Sequence, residues 1–321
     1  MFVARKLPGP AVERLAQTLE VAVWPGPLPP PREALLKEAA QSEGLLTLLT
    51  DRVDVALLDA APRLRAVSNM AVGYDNIDVQ ACTARRIAVG NTPGVLTETT
   101  ADFTFALLLA AARRVVEADA WVRAGRWRTW DPSLLLGQDV FGATLGIIGF
   151  GLIGQAVAKR ARGFGMRVLT TTRGDRTQEA AALGAEQVPL SQLLAQSDFV
   201  SLHVPLGEQT HHLISGTELA RMKRTAFLIN TSRGPVVDPA ALNEALRAGT
   251  LRGAALDVTD PEPIPPGDPL LEAPNLLIAP HIGSASEATR SRMAQMAADN
   301  LLAALNGQRP PHCVNPELYG G

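Results

Sequence analysis

The sequence is poor in cysteine: it has only Cys82 and Cys313 among 321 residues, and neither has metal-ligand neighbours. This scarcity excludes a disulfide framework and a cysteine-based zinc site, so we expect inert thiols and no bound metal. Long apolar runs are lacking too. The longest, residues 103–112, lies between Asp102 and Arg113 and is too short to cross a bilayer.

Two further absences narrow the class of protein. The N-terminal residues contain no long apolar core of the kind that a secretory signal peptide needs. The net charge of -2 provides no basic surface for nucleic acid. We therefore predict a cytoplasmic protein with neither a membrane nor a nucleic acid as partner, long enough for two domains.

The chain is organised around residues 144–173. Residues 145–148 form a short apolar run that is typical of a buried parallel strand. A glycine-rich turn follows, then a helical pattern over residues 155–164 and a second apolar run over residues 166–171. This strand–turn–helix–strand order is the context that a dinucleotide-binding loop requires.

The turn carries Gly149, Gly151 and Gly154 in the pattern G-x-G-x-x-G. In such a loop the first glycine allows a tight turn, the second lets the backbone approach a pyrophosphate, and the third lets the helix pack closely on the strand. The amide groups at the helix start then bind the pyrophosphate. The alternative is a glycine-rich turn that binds nothing, but the flanking strands and helix favour a dinucleotide site.

Residues 1–97 alternate short apolar runs with helical patterns, which predicts a small α/β domain with a parallel sheet. The predicted strands are Phe2–Arg5, Leu19–Trp24, Gly44–Leu49, Leu64–Met70 and Ile87–Asn91, and the predicted helices are Glu13–Thr18 and Pro31–Gln41. The loop AVGYDNID (71–78) follows the fourth strand. It is either a turn only or a source of backbone amides for an anion at the carboxyl end of the sheet.

A long helical pattern runs from Ala101 to about Ala124, and Thr97 or Thr100 could cap it. Three tryptophans lie at or just after its end: Trp121, Trp127 and Trp130. We favour packing in the core or in an interface, such as that of a dimer, over direct contact with a substrate.

The second half predicts six strands with helical crossovers, which fits a doubly wound Rossmann sheet. The strands are Leu145–Ile148, Val168–Thr171, Phe199–His203, Ala226–Asn230, Ala254–Val258 and Leu276–Ala279. The connecting helical segments include Ala180–Leu183, Leu190–Gln196, Gly216–Arg221 and Pro239–Ala248, and a final helix covers Ser286–Leu305.

Polar motifs follow three of these strands: NTSRGP (230–235), ALDVTDPEP (255–263) and APHIGS (279–284). Arg233 offers a planar fork that suits a carboxylate. His281 can transfer a proton near neutral pH, and Glu262 could orient and charge it. Taken singly, each could be a surface charge or a structural residue, but their combination in a Rossmann domain favours catalysis.

In chain order, the glycine pattern, NTSRGPVVD, LDVTDPEP and PHIGS resemble the D-isomer-specific 2-hydroxyacid dehydrogenases, most closely the glyoxylate/hydroxypyruvate reductase branch. The resemblance covers essentially the whole chain. It implies an α/β fold of two Rossmann-like domains with parallel, doubly wound sheets, an active site in the interdomain cleft, and a homodimer. The flavodoxin-like substrate domain would comprise residues 1–97 plus 288–321, and the dinucleotide-binding domain residues 98–287.

The resemblance also implies roles for residues where the motifs match. Arg233 would bind the substrate carboxylate and the carbonyl oxygen, His281 would be the acid–base, and Glu262 its partner. The backbone at Val72 and Gly73 would hold the carboxylate. The cofactor site would comprise Thr97, Gly149, Gly151, Leu152, Ile153, Gly154, Thr172, Arg173, Arg176, Val204, Pro205, Thr210, Thr231, Asp257 and Gly283. No catalytic role is implied for His203, His211 or His212.

The implied activity is the NAD(P)-dependent reduction of a small 2-oxoacid, such as glyoxylate to glycolate or hydroxypyruvate to D-glycerate. Two alternatives stay open. One is a nucleotide-sensing, corepressor-like binding protein, which would keep the same Rossmann core. The other is phosphoglycerate dehydrogenase, whose longer members add a regulatory domain.

The end of the second strand predicts the choice of cofactor. NAD-specific sites carry an Asp or Glu about 20 residues beyond the loop, but the family's spacing places Thr172 there. Arg173 and Arg176 follow and can pair with a 2′-phosphate. Asp175 could instead bind the ribose, although we expect it to face water. We predict that NADP(H) is preferred and that NAD(H) is possible.

Overall fold

The structure is a computed structural model that describes residues 1–320, and the chain divides into two compact units. The first unit comprises Met1–Leu96 and the chain from Ala285 onward, and the second comprises Thr97–Ser284. The assignment of substrate binding to one unit and cofactor binding to the other remains a prediction. Within residues 1–320, every helix is too short or too polar to traverse a lipid bilayer.

The first unit holds a five-stranded parallel sheet in the order β2-β1-β3-β4-β5, the strand order of flavodoxin-like folds. Its strands are β1 (Phe2–Val3), β2 (Ala22–Val23), β3 (Gly44–Thr47), β4 (Ala66–Asn69) and β5 (Ala88–Gly90). Its helices, numbered along the whole chain, are α1 (Ala11–Ala16), α2 (Arg32–Gln41), α3 (Val55–Ala60), α4 (Val79–Ala84) and α12 (Glu287–Leu305), followed by a 3-10 turn at Pro316–Tyr319.

Two helices of this unit, α3 and α4, were not predicted. Each has only six residues, too few for a helical period to stand out. Both begin at an aspartate whose carboxylate accepts a hydrogen bond from a backbone N–H of the first turn: Asp54 from Leu57, and Asp78 from Ala81. These N-caps are the signal in the sequence that could have identified both helices.

The second unit holds a seven-stranded parallel sheet in the order β12-β11-β10-β9-β6-β7-β8. Its strands are β6 (Thr144–Ile148), β7 (Arg167–Thr171), β8 (Ala185–Gln187), β9 (Phe199–Leu202), β10 (Phe227–Asn230), β11 (Gly253–Leu256) and β12 (Leu276–Ile278). Its helices are α5 (Thr97–Ala112), α6 (Val115–Arg123), α7 (Leu152–Gly163), α8 (Thr177–Ala182), α9 (Leu190–Gln196), α10 (Gly216–Leu219) and α11 (Pro239–Arg247), with 3-10 turns at Gly234–Val236 and Pro269–Glu272.

This strand order reverses direction beside β6, which lies between β7 and β9. In an open parallel sheet the carboxyl ends of strands at such a switch point line a ligand-binding crevice. The predicted α/β class with two parallel sheets is confirmed. The prediction of six strands in the second half missed β8, an edge strand of three residues with one buried position.

The prediction of one helix from Ala101 to Ala124 is wrong. The chain forms α5 and α6, separated at Arg114, which adopts the left-handed conformation with φ 54°. That conformation cannot continue a right-handed helix. Thr97 and Thr100 both lie within α5, so neither is the residue that precedes it as an N-cap.

Of the two alternatives predicted for the tryptophans, core packing does not hold for two of them, and packing in an interface stays a prediction. Trp127 is 61% exposed and Trp130 is 78% exposed in the single chain. Both lie beyond α6 in a segment without regular secondary structure. Trp121, on α6, is only partly exposed, and the guanidinium of Arg126 lies 5.2 Å from its ring centroid.

Candidate active site

The loop between β6 and α7, residues 149–154, is here called the glycine loop. Gly149 has φ +96°, and a Cβ built there would lie 2.6 Å from the carbonyl oxygen of His203. A Cβ at Gly154 would lie 2.2 Å from the carbonyl oxygen of Gly149. Both positions therefore require glycine for the protein's own packing, the first also for its backbone conformation.

Gly151 is different, because it has ordinary extended backbone and a Cβ there would meet nothing within 4 Å. It precedes α7 as the N-cap residue, yet it provides no side chain to cap the helix amides. Leu152, the first helical residue, is 62% exposed. Open space in front of uncapped helix amides fits a dinucleotide pyrophosphate, which Gly151, Leu152 and Ile153 would hold.

The end of β7 presents no carboxylate at Thr172, which is partly exposed. Arg173 is exposed, and its guanidinium lies 3.5 Å from the Gln209 side-chain oxygen. Arg176 forms an ion pair with Glu179 at 3.0 Å. Asp175 is exposed, and its carboxylate accepts a hydrogen bond from the backbone N–H of Thr177 at 2.9 Å. The Thr177 hydroxyl and this N–H both lower the pKa of Asp175.

The loop after β9 carries Val204, Pro205 and Thr210. The Thr210 hydroxyl donates to the Pro205 carbonyl at 2.7 Å and accepts from the Gly207 N–H at 2.9 Å, so the loop is closed on itself. At its start, His203 bonds to the Ser201 hydroxyl at 2.8 Å. His203 is partly exposed as a residue. Burial of its imidazole lowers the pKa of His203 to about 3. The ring is neutral at neutral pH, as suits a structural residue.

Three predicted residues follow adjacent strands and are here called the acid–base cluster: Arg233 after β10, Glu262 after β11 and His281 after β12. His281 Nδ1 lies 2.6 Å from Glu262 Oε1, and both side chains are partly exposed. This pair joins two residues that are 19 positions apart in the sequence. The Glu262 carboxylate holds Nδ1 at this distance and leaves Nε2 of the ring as the nitrogen that can exchange a proton.

Asp257 holds the loop that carries His281. Its carboxylate accepts hydrogen bonds from the N–H groups of Ile282 and Gly283, both at 2.7 Å, and its carbonyl accepts one from His281 at 2.8 Å. His281 itself has φ 54°, a strained conformation for a residue with a side chain. Burial raises the pKa of Asp257 above its ordinary value, although the two amides oppose the shift. The sequence interpretation gave Asp257 a cofactor role and missed this support of the His281 loop.

Arg233 is half-buried, and its guanidinium donates to the Ser232 carbonyl at 2.9 Å. The preceding Asn230 holds the turn, because its side-chain nitrogen donates to the Arg233 carbonyl at 2.9 Å. Gly234 lies against the next loop: a Cβ there would be 1.8 Å from the carbonyl oxygen of Thr259. The loops after β10 and β11 are thus packed backbone to backbone. This packing fixes the position of the Arg233 backbone.

Two threonines of the predicted cofactor set lie in or near α5. Thr231 is buried, and its hydroxyl is 2.9 Å from that of Thr104 on α5. The Thr104 hydroxyl donates in turn to the Thr100 carbonyl. Thr97 is the first residue of α5. The structure thus ties the turn after β10 to this helix.

The remaining predicted substrate residues, Val72 and Gly73, belong to the first unit, in the loop after β4. Both are partly exposed. In the second unit, a cavity of about 230 Å³ lies at the amino ends of the strands, where Phe227, Arg252 and Leu276 line it. No residue of the glycine loop or of the acid–base cluster lines this cavity.

Comparison with known proteins gives concordant matches. The family described as "D-isomer specific 2-hydroxyacid dehydrogenase, NAD binding domain" matches residues 105–283. A glyoxylate reductase of Korarchaeum cryptofilum is 54% identical over 319 residues, 99% of this chain and 96% of that protein. A crystal structure of a Thermus thermophilus protein is 51% identical, with a TM-score of 0.92 over 98% of this chain and 99% of that one.

A second solved structure was determined with ligands. It is the NADPH-dependent glyoxylate/hydroxypyruvate reductase of Sinorhizobium meliloti in complex with NADP and malonate. It is 34% identical, with a TM-score of 0.83 over 98% of this chain and 95% of that one.

Proposed function

We propose that this chain, which belongs to the D-isomer-specific 2-hydroxyacid dehydrogenase family, reduces glyoxylate and hydroxypyruvate with a nicotinamide cofactor. It is an NAD(P)-dependent oxidoreductase of the glyoxylate reductase type. Relatives that are about 50% identical over the whole chain are glyoxylate reductases, which does not favour a corepressor-like binding protein or a phosphoglycerate dehydrogenase. Its location in the cytoplasm stays a prediction.

The observation that carries this proposal is the His281–Glu262 pair at the carboxyl edge of the sheet, with Nδ1 and Oε1 2.6 Å apart. When bound, NAD(P)H would supply the hydride that adds to C2 of the 2-oxoacid. Because Nδ1 is bonded to Glu262, transfer of the proton to the carbonyl oxygen falls to Nε2 of His281. Glu262 stabilises the imidazolium before the transfer, and the resulting product is a 2-hydroxyacid.

Arg233 is proposed to bind the substrate carboxylate and the carbonyl oxygen. Its planar guanidinium can donate two parallel hydrogen bonds to a carboxylate. In the first unit, the backbone N–H groups at Val72 and Gly73 are proposed to bind a carboxylate. Binding of the carboxylate would orient C2 for reduction, which predicts a preference for 2-oxoacids over simple aldehydes.

The activity is tested by following the absorbance of reduced nicotinamide with purified protein and either glyoxylate or hydroxypyruvate. We expect oxidation of the cofactor with both acids and a matching production of glycolate or D-glycerate. Acetaldehyde, which has a carbonyl but no carboxylate, is the control and should be a poor substrate. A protein that binds NADPH but oxidises it with neither acid contradicts the proposal.

We propose that NADPH is preferred over NADH. Thr172 presents no carboxylate to repel a 2′-phosphate, and no carboxylate among residues 1–320 forms an ion pair with Arg173. The Asp175 carboxylate is engaged by Thr177. The comparison of kcat/KM for the two cofactors at saturating glyoxylate tests this preference, and equal or better efficiency with NADH overturns it.

We also propose a homodimer. Exposed large apolar side chains are concentrated in residues 115–141: Val115, Val116, Val122, Trp127, Trp130, Leu136 and Phe141. So many exposed large apolar side chains in one segment favour burial in an interface. Light scattering after size-exclusion chromatography should give twice the chain mass of 34.0 kDa. A mass of one chain at micromolar concentration would contradict the dimer.

A further inference from the structure

The loop of residues 71–76 in the first unit has its early carbonyl groups held by residues at the end of the neighbouring strand β5. The Ala71 carbonyl accepts a hydrogen bond from the Thr92 N–H at 2.8 Å. The Val72 carbonyl accepts one from the side-chain nitrogen of Asn91, also at 2.8 Å. One of these bonds is backbone to backbone, but the other depends on a particular side chain.

The next carbonyl of the loop is held from the end of β4. The side-chain nitrogen of Asn69 donates to the Gly73 carbonyl at 3.0 Å and to the side-chain oxygen of Asn76 at 3.0 Å. Asn76 is itself fixed, since its nitrogen donates to the carbonyls of Leu48 and Asp51 at 3.0 and 2.8 Å. Asn69 is fully buried, so its amide has no water to exchange with these partners.

Fixing a carbonyl also fixes the next N–H group. A trans peptide unit is planar, and its N–H points opposite to the C=O of the preceding residue. Asn91 therefore sets the direction of the Gly73 N–H, and Asn69 sets that of the Tyr74 N–H. By the same geometry, the Thr92 backbone sets that of Val72.

These three N–H groups make no hydrogen bond to any other residue within the described part of the chain. They lie on consecutive residues, Val72 and Gly73 partly exposed and Tyr74 exposed. The peptide units thus turn their carbonyls towards the strand ends and their N–H groups away from them. Oriented, unpaired backbone amides suit an anion, and they need not reorganise when it binds.

We propose that Asn91 and Asn69 are positioning residues for the substrate carboxylate. They hold the loop so that the N–H groups of Val72, Gly73 and Tyr74 are presented together to one carboxylate. This inference rests on the proposed function, in which the backbone at Val72 and Gly73 binds the 2-oxoacid. It adds the Tyr74 amide to that site and identifies the side chains that give the site its geometry.

The test is Asn91→Ala, because Asn91 is only partly buried and its side chain holds a single loop carbonyl. We expect KM for glyoxylate to rise roughly 10- to 100-fold, the effect of losing well-aligned hydrogen bonds to a charged group. The dissociation constant of NADPH, from its fluorescence, and kcat should change much less. With the methyl ester of glyoxylate, which lacks the charge, variant and wild type should have similar efficiency.

Asn315→Ala is the matched control. Asn315 is a buried asparagine of the same unit whose amide holds the backbone of β5, through the Val89 N–H and the Ile87 carbonyl. Its loss should lower the melting temperature and leave KM for glyoxylate unchanged. If Asn91→Ala does not fold, Asn91→Asp keeps the side-chain volume, removes the donor and should show the same rise in KM.

The outcomes separate the two proposals. A wild-type protein that reduces no 2-oxoacid overturns the proposed function and this inference together. A wild-type enzyme that is active on glyoxylate, with Asn91 variants of unchanged KM, overturns this inference alone. Equal rises in KM for glyoxylate and for its methyl ester also overturn it, because the amides would then not be acting on the carboxylate.

Discussion

The glycine loop and the acid–base cluster belong to one unit and to the same edge of one sheet, yet they are built in opposite ways. The glycine loop is six consecutive residues whose shape follows from absent side chains: a Cβ at Gly149 or Gly154 would collide with backbone. The acid–base cluster combines side chains from three strand ends, and the His281–Glu262 contact exists only because β11 and β12 are neighbours.

This difference predicts which property a substitution in each part should change. The loop depends on local backbone geometry, so substitutions there should act on cofactor binding. The cluster depends on the register of strands and on the Asp257 contacts that hold the His281 loop. Substitutions in the cluster should act on turnover or on the substrate and leave cofactor binding intact.

The largest effect should come from His281→Ala. We expect kcat for glyoxylate reduction to fall roughly 100- to 10,000-fold, because general acid catalysis contributes that much. The NADPH dissociation constant should stay unchanged. His211→Ala, at an exposed histidine of the same unit, is the control. Loss of NADPH binding along with turnover would show that cluster and loop cannot be separated.

Arg233→Lys should lower kcat/KM for glyoxylate roughly 10- to 100-fold, because a point charge replaces a fork that donates two hydrogen bonds. Steady-state kinetics at saturating NADPH measure the change. Arg247→Lys, on the exposed side of α11, should have no effect. Near-normal efficiency of Arg233→Lys would mean that the carboxylate binds elsewhere.

Glu262→Gln should move the high-pH limb of the reduction rate to lower pH, because the opposite charge beside the imidazolium is lost. The imidazolium of His281 loses its carboxylate and therefore loses its proton more readily. In the oxidation direction, which requires the neutral ring, the low-pH limb should also move to lower pH. Glu272→Gln is the control, and pH–rate profiles that coincide for Glu262→Gln and wild type would disprove the pairing.

Gly151→Ala separates the loop's ligand role from its structural role. The backbone there suits alanine and a Cβ meets nothing in the protein, so the melting temperature should not fall. The NADPH dissociation constant should rise roughly 10-fold, because the methyl group obstructs the pyrophosphate hydrogen bonds. Gly163→Ala, in equally open space at the other end of α7, is the control. Normal NADPH binding in Gly151→Ala would place the pyrophosphate elsewhere.

The smallest effects should come from the two arginines after β7, with Arg173→Ala the larger of the two. The NADPH dissociation constant should rise roughly two- to fivefold, as for an exposed ion pair, with little change for NADH. Arg176→Ala should have less effect, because its guanidinium already pairs with Glu179. Fluorescence titrations with both cofactors measure the difference. An equal loss for NADH and NADPH would mean that Arg173 does not contact the 2′-phosphate.

The sequence by itself determined the features that short contiguous stretches encode. The glycine loop could be identified because strand, turn and helix follow one another within thirty residues, residues 144–173. The parallel strands could be recognised because strands buried on both faces, such as β9 and β11, are continuously apolar or small. The short elements α3, α4 and β8 were missed because periodicity needs more residues than they contain.

Only the tertiary structure decided what depends on residues far apart in the chain. The helical pattern is interrupted at Arg114, which adopts the left-handed conformation. Arginine at this position does not by itself predict that conformation. The Asp257 carboxylate binds the N–H groups of Ile282 and Gly283, which lie 25 and 26 positions later in the sequence. The Asn91 side chain binds the Val72 carbonyl, 19 positions earlier. Such contacts exist because the order of parallel strands brings their carboxyl ends together, and that order is set by the packing of whole strands and helices.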